Sequence, residues 1–269
     1  MMAPQLENYL RYGCKHVEGW LEPGAARFTA NLADLQDKVG ISGPIAEIGV
    51  HHGKFFVLLA LACSPGQTAV AVDLFENQTE NITRSGHGSR DIFLRNCARN
   101  KVNCFIEIIS ANSNSISGER LIPAGHQRFK LFSVDGGHDP ETTCHDLSLA
   151  QETLSDGGVV ILDDFFNELW PGVADGALRF LAQSCACLIP FAIGGNKMWL
   201  AEGNWAETYR SHIRELSTHA INIAEHKFLG RTVMALDFRP LRAKQKAKRM
   251  LRKWIPRRTL SVSTGTGDA

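Results

Sequence analysis

Five short apolar runs, separated by stretches with helical patterning, set the tightest limit on what this chain can fold into. Each run is almost continuously apolar rather than alternating, which is typical of parallel strands that are buried on both faces of a sheet. The alternation of strand and helix predicts an α/β protein with a doubly wound sheet. The predicted strands are Ile45–Val50, Ala69–Leu74, Phe105–Ile109, Lys130–Val134 and Val159–Leu162, and the predicted helices between them are Lys54–Cys63, Arg90–Asn100 and Pro140–Leu154.

The segment after the fifth run has a different pattern. In CLIPFAIGGNKMWLA, two β-like runs flank Gly194-Gly195-Asn196, and a turn of this composition predicts an antiparallel hairpin. We therefore expect a Rossmann-like, mostly parallel, seven-stranded sheet with an antiparallel hairpin towards its C-terminal end. Asn204–Ala224 has helical patterning, and Thr232–Phe238 is predicted to be a last strand.

The length of 269 residues fits one α/β domain with extensions. We expect a helical N-terminal extension over residues 1–40, the main domain over 41–238 and a separate tail over 239–269. The longest apolar stretch, Phe55–Cys63, is too short to span a bilayer, and the N-terminus lacks the pattern of a secretory signal. The seven cysteines include no CxxC pair, so reduced thiols and a cytoplasmic location are expected.

Charge is distributed unevenly along the chain. From Arg239 onward there are ten Lys and Arg residues and one acid, so this tail carries a formal charge of about +9, against about −8 for the residues before it. Apolar residues recur at helical spacing between Leu241 and Trp254, which predicts a basic amphipathic helix. Such a helix could attach the protein to the anionic inner face of a membrane or pack on the acidic body, and the sequence leaves both open.

A glycine-containing motif ends the first predicted strand. Glu47-Ile48-Gly49-Val50-His51-His52-Gly53 places glycines at a strand–helix turn, where the backbone can approach a ligand closely and helical N–H groups are free. The second strand ends in Asp73, an acid that can accept hydrogen bonds from both hydroxyls of a ribose. Together they predict a nucleoside cofactor. The spacing E-x-G-x-x-x-G differs from the G-x-G-x-x-G of dinucleotide sites.

Three carboxylates follow the fourth and fifth predicted strands. The fourth ends in Asp135-Gly136-Gly137-His138, and the fifth is followed directly by Asp163 and Asp164. Because parallel strands end at one edge of a sheet, we expect these side chains to converge there. Their mutual repulsion would be costly without a cation, and a hard, oxygen-seeking ion such as Mg²⁺ or Mn²⁺ would neutralise it.

These motifs together resemble the metal-dependent sugar O-methyltransferases of macrolide and aminocoumarin biosynthesis, which use S-adenosylmethionine. That family shows D-G-x-H or D-G-D at the fourth strand, an L-x-x-G-G block, an acidic pair at the fifth strand and a W-P-G-V-like segment. The resemblance covers about residues 40–200 and is specific as a set. The matching segments are Asp135–His138, Leu154–Gly158, Asp163-Asp164 and Trp170–Val173, together with EIGVHHGK and VAVDLF.

The resemblance implies an activity and a set of residue roles. The chain would transfer a methyl group from S-adenosylmethionine to a hydroxyl of a sugar, glycan or other polyol-like acceptor, with Mg²⁺ or Mn²⁺ as a second cofactor. The implied general base is His138. The implied metal ligands are Asp135, Asp163 and Asp164, and the implied cofactor-binding residues are Glu47, Gly49, Gly53, Asp73, Asn112, Ser113 and again Asp135.

Other classes stay open at this stage. An NAD(P)- or nucleotide-sugar-binding Rossmann oxidoreductase would share the strand-end acid, although G-x-G-x-x-G is missing, and a non-catalytic cofactor-binding protein could keep the fold. The sequence has neither an N/D-P-P-Y/F motif nor an RNA-binding signature, so we expect no specific nucleic-acid partner. Segment Glu76–Ser89 departs from the macrolide enzymes and is expected to be a loop over the cofactor or acceptor. The identity of the acceptor and assembly into a homo-oligomer are left open.

Overall fold

The structure is a computed structural model, and it describes residues 2–122 and 127–238. The basic helix predicted between Leu241 and Trp254 lies outside the described residues. Nine strands form one sheet in the described part of the chain, in the spatial order β3-β2-β1-β4-β5-β7-β6-β9-β8. The strands are β1 Ile45–Ile48, β2 Thr68–Asp73, β3 Phe105–Ser110, β4 Phe129–Val134, β5 Leu154–Leu162, β6 Leu188–Gly194, β7 Lys197–Glu202, β8 Asn222–Phe228 and β9 Arg231–Asp237.

Nine α-helices surround this sheet in the same described ranges. They are α1 Pro4–Arg11, α2 Pro23–Lys38, α3 Lys54–Leu61, α4 Arg90–Arg99, α5 Gly118–Leu121, α6 Pro140–Thr153, α7 Pro171–Leu181, α8 Gly203–Ser211 and α9 Ile213–Leu216. None of the described helices is long and apolar enough to cross a membrane.

The sheet confirms the predicted Rossmann-like architecture. Strands β1 to β5 are parallel, and β7 runs antiparallel between β5 and β6. The β6–β7 hairpin turns at Gly195 and Asn196, whose φ angles of 56° and 68° lie in the left-handed region that Gly and Asn tolerate best. The hairpin turn therefore lies at the residues that the sequence predicted.

The C-terminal part of the described chain raises the number of strands in the sheet from the predicted seven to nine. The helix predicted over Asn204–Ala224 is wrong beyond Leu216, because Asn222–Phe228 forms β8 and pairs with β9 in a second hairpin. This hairpin joins the sheet through β6 and β9. Strand β8 escaped prediction because it is mostly exposed and carries Glu225, His226 and Lys227 in succession, so it has no apolar run to mark it.

Apolar side chains fill both sides of the sheet. On one side α2 and α3 contribute Phe28 and Phe56 to a core, and on the other side α6 and α7 contribute Leu147 and Phe180. Both faces of the parallel strands are thus covered, which explains their continuous apolar sequence. Helices α1 and α2 lie within the predicted N-terminal extension and pack into the first core, and the division of the chain at residue 40 stays a prediction.

The carboxyl edge of the sheet is where the strand ends are aligned. Beyond the last paired residues, the ladder continues through the amide of Gly49, which donates to Val72 O at 2.8 Å. The amide of Asp135 donates to Ile48 O at 2.9 Å, and that of Asp163 donates to Val134 O at 3.0 Å. These bonds bring the first residues after β1, β4 and β5 to one level, so side chains far apart in sequence become neighbours.

We expect that Gly49→Ala destabilises the protein much more than its geometry-matched control, Gly40→Ala. Gly49 has a φ of +86°, and a Cβ there would lie 1.8 Å from the carbonyl oxygen of Asp135. Gly40 has a φ of +83° with nothing within 4 Å of its Cβ position, so it isolates the cost of the backbone conformation, about 1–2 kcal/mol. The overlap at Gly49 should add about 1–3 kcal/mol.

Urea denaturation of both variants measures this difference in the free energy of unfolding. Equal losses for the two glycines would mean that the close approach between the β1 turn and Asp135 is absent in solution.

Candidate active site

A cavity of about 720 Å³ opens at the carboxyl edge of the sheet. Its lining comes from the turn after β1, the ends of β2, β4 and β5, and the loops around residues 18–22 and 78–88. Of the residues that the sequence singled out, all but Gly53 line this cavity. They are Glu47, Gly49, Asp73, Asn112, Ser113, Asp135, His138, Asp163 and Asp164.

Gly53 has a conformational role at the start of α3. Its φ is +87°, its amide donates to Val50 O at 2.7 Å, and a Cβ there would lie 2.9 Å from the ring of Phe93. It shapes the turn from which Gly49 and His51 face the cavity. The assignment of Gly53 as a residue that binds cofactor stays a prediction.

Glu47 is a buried carboxyl group in the floor of the cavity. Its Oε1 accepts a hydrogen bond from Ser133 Oγ at 3.2 Å, and its Oε2 has no hydrogen-bond partner among the described residues. Burial raises the pKa of Glu47 to about 8. At neutral pH this carboxyl group is therefore largely protonated and can donate a hydrogen bond into the cavity.

Asp73 organises the turn after β1 as well as facing the cavity. Its Oδ2 accepts from the amide of His51 at 2.7 Å, and its Oδ1 accepts from the amide of Phe75 at 2.6 Å. Burial raises the pKa of Asp73, although these backbone donors oppose the shift. Each carboxylate oxygen keeps a second lone pair for a ligand hydroxyl.

The turn after β3 forms a polar corner of the cavity. Asn112 Oδ1 accepts from the amide of Asn114 at 3.1 Å, and Asn114 Nδ2 donates to Thr142 Oγ1 at 2.9 Å. Ser113 is buried beside them. The corner is therefore fixed by its own hydrogen bonds to α6.

His138 is held on both sides of its ring. Its Nε2 lies 2.9 Å from Asp164 Oδ2, its Nδ1 lies 2.8 Å from Ser85 Oγ, and the ring stacks on Trp170 with centroids 4.5 Å apart. An ionised carboxylate only accepts, so Nε2 carries the proton and Nδ1 is the basic nitrogen, with the Ser85 hydroxyl donating to it. This arrangement can accept a proton at Nδ1.

The acidic pair after β5 has two different environments. Asp164 Oδ1 accepts from the amide groups of Asn167 and Asn196, and Oδ2 faces His138. Burial alone would raise the pKa of Asp164, but the hydrogen bonds from His138 and the two asparagines hold it below its usual value. Asp163 instead accepts from Lys197 at Oδ2 and from the amide of Asp164 at Oδ1.

Asp135 lies among like charges. Burial, together with the charges of Asp163 and Asp164, raises the pKa of Asp135 well above its usual value. One ligand atom each from Asp135, His138 and Asp164 forms a group within 4.8 Å that could hold a metal ion, and Asp163 is not in this group. The three predicted metal ligands line one cavity, and their role as ligands stays a prediction.

Lys197 is a residue of this site that the sequence did not predict. It begins β7 with a side chain only 2% exposed, forms the ion pair with Asp163, and lies with Nζ 4.2 Å from the centre of the Phe55 ring. The available signal was a lone lysine between the hairpin turn and the apolar run Met198–Ala201.

The loop predicted over Glu76–Ser89 does reach the cavity. Asn81 holds it in shape by donating from Nδ2 to Ser85 O at 2.7 Å and to Gln78 Oε1 at 2.8 Å. Ser85 and Thr83 from this loop line the cavity, with their hydroxyl oxygens 3.0 Å apart. The contact of Ser85 with His138 could not be read from the sequence.

Comparison with known proteins agrees with this geometry. Residues 46–165 match a family described as a methyltransferase domain. No protein of curated function matches the chain.

Several similar solved structures are O-methyltransferases. The O-methyltransferase NovP is 16% identical with a TM-score of 0.54, over 66% of this chain and 80% of that one. An O-methyltransferase from Bacillus cereus in complex with S-adenosylhomocysteine is 18% identical with a TM-score of 0.51, over 74% and 91%. CalS11, a TDP-rhamnose 3′-O-methyltransferase, is 16% identical with a TM-score of 0.51, over 73% and 86%.

At these identities the structural likeness shows the fold, and the family match covers β1 to β5 with their strand-end residues. The match does not favour the oxidoreductase alternative. Residues 46–165 thus form a methyltransferase domain, as the sequence predicted.

Proposed function

We propose that the chain is a divalent-metal-dependent O-methyltransferase that acts on a hydroxyl of an uncharged sugar, glycan or polyol-like acceptor. The observation that carries the proposal is the position of His138. Its ring is fixed between Asp164 and Ser85, beside Asp135, in the same cavity as the Glu47–Gly49 turn and Asp73. A proton acceptor and a carboxylate cluster therefore face the space where the acceptor hydroxyl must meet the methyl donor.

The charges of the cluster fit one divalent cation. Asp135, Asp163 and Asp164 together carry a formal charge of −3 when ionised, and Lys197 returns +1. The remaining −2 is what a single Mg²⁺ or Mn²⁺ balances, and carboxylate oxygens suit both ions. The pKa of Asp135 is raised first by burial and then by the charge of Asp163, and Lys197 only partly opposes this shift. Asp135 and Asp164 would hold the ion.

The side chains then divide the work of the reaction. When bound, the ion supplies a Lewis acid that lowers the pKa of the acceptor hydroxyl. His138 removes the proton at Nδ1, the atom that now faces Ser85, and Asp164 fixes the ring and stabilises the imidazolium. Glu47, Gly49, Asp73, Asn112 and Ser113 hold S-adenosylmethionine so that its methyl group faces the acceptor oxygen.

The cavity repels anionic acceptors. Among the described residues that line it, nine are acidic, none is arginine, and the lysines are Lys54 and Lys197. Lys197 is buried and paired with Asp163, and Lys54 already donates to Gly19 O at 2.8 Å, so the lining offers little positive charge to a phosphate. Recognition of phosphate or diphosphate groups relies on arginine, lysine or free N–H groups. This supports an uncharged acceptor over a nucleotide sugar.

The mouth of the cavity is apolar. Trp20, Ile82 and Leu169 line it and are 81%, 74% and 72% exposed. They come from three separate loops, and exposed apolar groups collected at one opening mark a binding surface. An acceptor with a hydroxyl-bearing head and an apolar body would place its head among the carboxylates and its body on these side chains.

Several expectations about location stay predictions. The membrane contact and the helix of the basic tail fall on residues 239–269, outside the described ranges. A cytoplasmic location, attachment to the inner face of a membrane and assembly into a homo-oligomer likewise await direct measurement.

Calorimetry should detect binding of S-adenosylhomocysteine and no binding of NADH. Asp73→Ala should weaken S-adenosylhomocysteine binding by about 1.5–3 kcal/mol, the range for a hydrogen bond to a charged group. Glu80→Ala, which removes another acid from the cavity lining, should leave the affinity unchanged. The cofactor assignment fails if Asp73→Ala binds as the wild type does while its melting temperature shows an intact fold.

A panel of acceptors tests the charge of the substrate. With S-adenosylmethionine labelled in the methyl group, and with Mg²⁺ present, we expect transfer to uncharged glycosides that carry an apolar aglycone. Nucleoside diphosphate sugars with the same sugar should be poor acceptors, because the acidic lining repels their phosphates. Preferential transfer to the nucleotide sugars would contradict the proposed acceptor class.

His138→Ala should lower kcat by roughly 10²–10⁴ with the best acceptor from that panel, the usual contribution of general acid–base catalysis. The affinity for S-adenosylhomocysteine should stay near that of the wild type, since the ring lies on the acceptor side. His226→Ala, on the exposed face of β8, is the matched control and should have no effect. If His138→Ala keeps the full rate, another group must be the general base.

A further inference from the structure

Lys197 is a buried cation placed by the sheet itself. Strand β7 pairs with β5 so that Met198 lies opposite Leu162, and the next residues in each direction are Lys197 and Asp163. Their side chains are 2% and 12% exposed and form an ion pair. A buried pair of this kind keeps both charges in place, because removing either partner leaves the other uncompensated.

This ion pair and one backbone amide give each carboxylate oxygen of Asp163 a donor, and the donor at Oδ2 is a buried cation. Oδ2 accepts from Lys197 Nζ, and Oδ1 accepts from the amide of Asp164 at 3.0 Å. The ligand atoms that lie within 4.8 Å of one another come from Asp135, His138 and Asp164. The structure therefore separates the three carboxylates into one that is tied to a lysine and two that face a common point.

The charge of Lys197 also acts on Asp135. Its pKa is raised, against the effect of burial, by the neighbouring charges of Asp163 and Asp135. A fixed positive charge beside a cation site competes with any ion that enters, because two like charges within a few ångströms in a buried site repel strongly.

We propose that Lys197 keeps Asp163 out of the metal coordination set and lowers the affinity of the site for divalent cations. This inference rests on the proposed metal site. The ion is held by Asp135 and Asp164. Lys197 neutralises the charge of Asp163, which a bond to the metal ion would otherwise do.

Binding of Mn²⁺ alone, followed by the electron paramagnetic resonance signal of the free ion, tests this without any acceptor. Lys197→Met removes the competing charge and releases Asp163, so it should bind Mn²⁺ at least about tenfold more tightly than the wild type. Asp164→Asn should weaken binding by about tenfold or more, since it removes a ligand.

The matched control is the double variant Asp163→Asn with Lys197→Met, which replaces the ion pair by neutral side chains of similar size and keeps the net charge of the cluster. Replacement of a buried pair by neutral groups is usually tolerated, so this protein should fold even if Lys197→Met alone does not. Its affinity for Mn²⁺ should stay within about threefold of the wild type, since the net charge is unchanged and no ligand is lost.

Two results would overturn the inference. A loss of tenfold or more in the Mn²⁺ affinity of the double variant would show that Asp163 is a metal ligand. An unchanged Mn²⁺ affinity in a folded Lys197→Met protein would show that the lysine does not control this affinity. If the wild type binds no Mn²⁺ but Lys197→Met does, the inference stands while the metal dependence of the proposed function fails. If neither protein binds the ion, both fail, and binding of S-adenosylhomocysteine still tests the methyltransferase assignment separately.

Discussion

The buried ion pair between Lys197 and Asp163 is the contact on which the charge balance of the active site depends. Four acidic side chains, Glu47, Asp135, Asp163 and Asp164, meet at one end of the sheet and line one cavity. Three contacts or environments reduce the repulsion between these carboxyl groups. Burial raises the pKa of Glu47 to about 8, which favours its protonated form. Asp164 accepts hydrogen bonds from neutral donors and His138, and Asp163 is neutralised by Lys197. Asp135 is left with the least compensation, and its carboxylate is therefore where an added cation would gain most.

The topology explains why the lysine stands there. In a purely parallel sheet, the neighbour of β5 would also end at the carboxyl edge and would bring another strand-end loop. The antiparallel β7 instead begins at that edge, directly after the Gly195–Asn196 turn, and its first residue is Lys197. The hairpin thus does more than close the sheet. It delivers Lys197 to Asp163, and Asn196 from the turn donates to Asp164, so a single connection tunes both members of the acidic pair.

Much of this could be predicted from the amino-acid sequence, for reasons that lie in individual residues. Continuous apolar runs identify β1 to β5, and strand ends in a parallel sheet coincide, so Asp73, Asp135 and Asp163 could be placed at one edge from their positions in the chain alone. Lys197 could not be placed, because its contact with Asp163 depends on β7 pairing with β5 as well as with β6, its neighbour in sequence. Ser85 sits in a loop without periodicity, and polar β8 carries no apolar signal. A strand–helix glycine such as Gly53 has the same sequence signal whether it touches a ligand or only permits a turn, so its role in cofactor binding stays a prediction.

The negative charge of the cavity affects both cofactor binding and the methyl-transfer step. S-adenosylmethionine carries a positive sulfonium centre, and this charge disappears when the methyl group leaves. An acidic cavity therefore attracts the donor more strongly than the spent cofactor, which favours exchange of product for substrate. The same charge would slow the chemical step if it acted on the sulfonium alone, because it stabilises the starting state over the transition state.

The acceptor oxygen instead gains negative charge as its proton leaves, and positive charge beside this oxygen stabilises it. A fixed cation at Lys197 and a removable one at Asp135 and Asp164 would supply that charge between them. The lysine partly neutralises the cluster at all times, and under the proposed metal dependence a bound ion would complete the neutralisation.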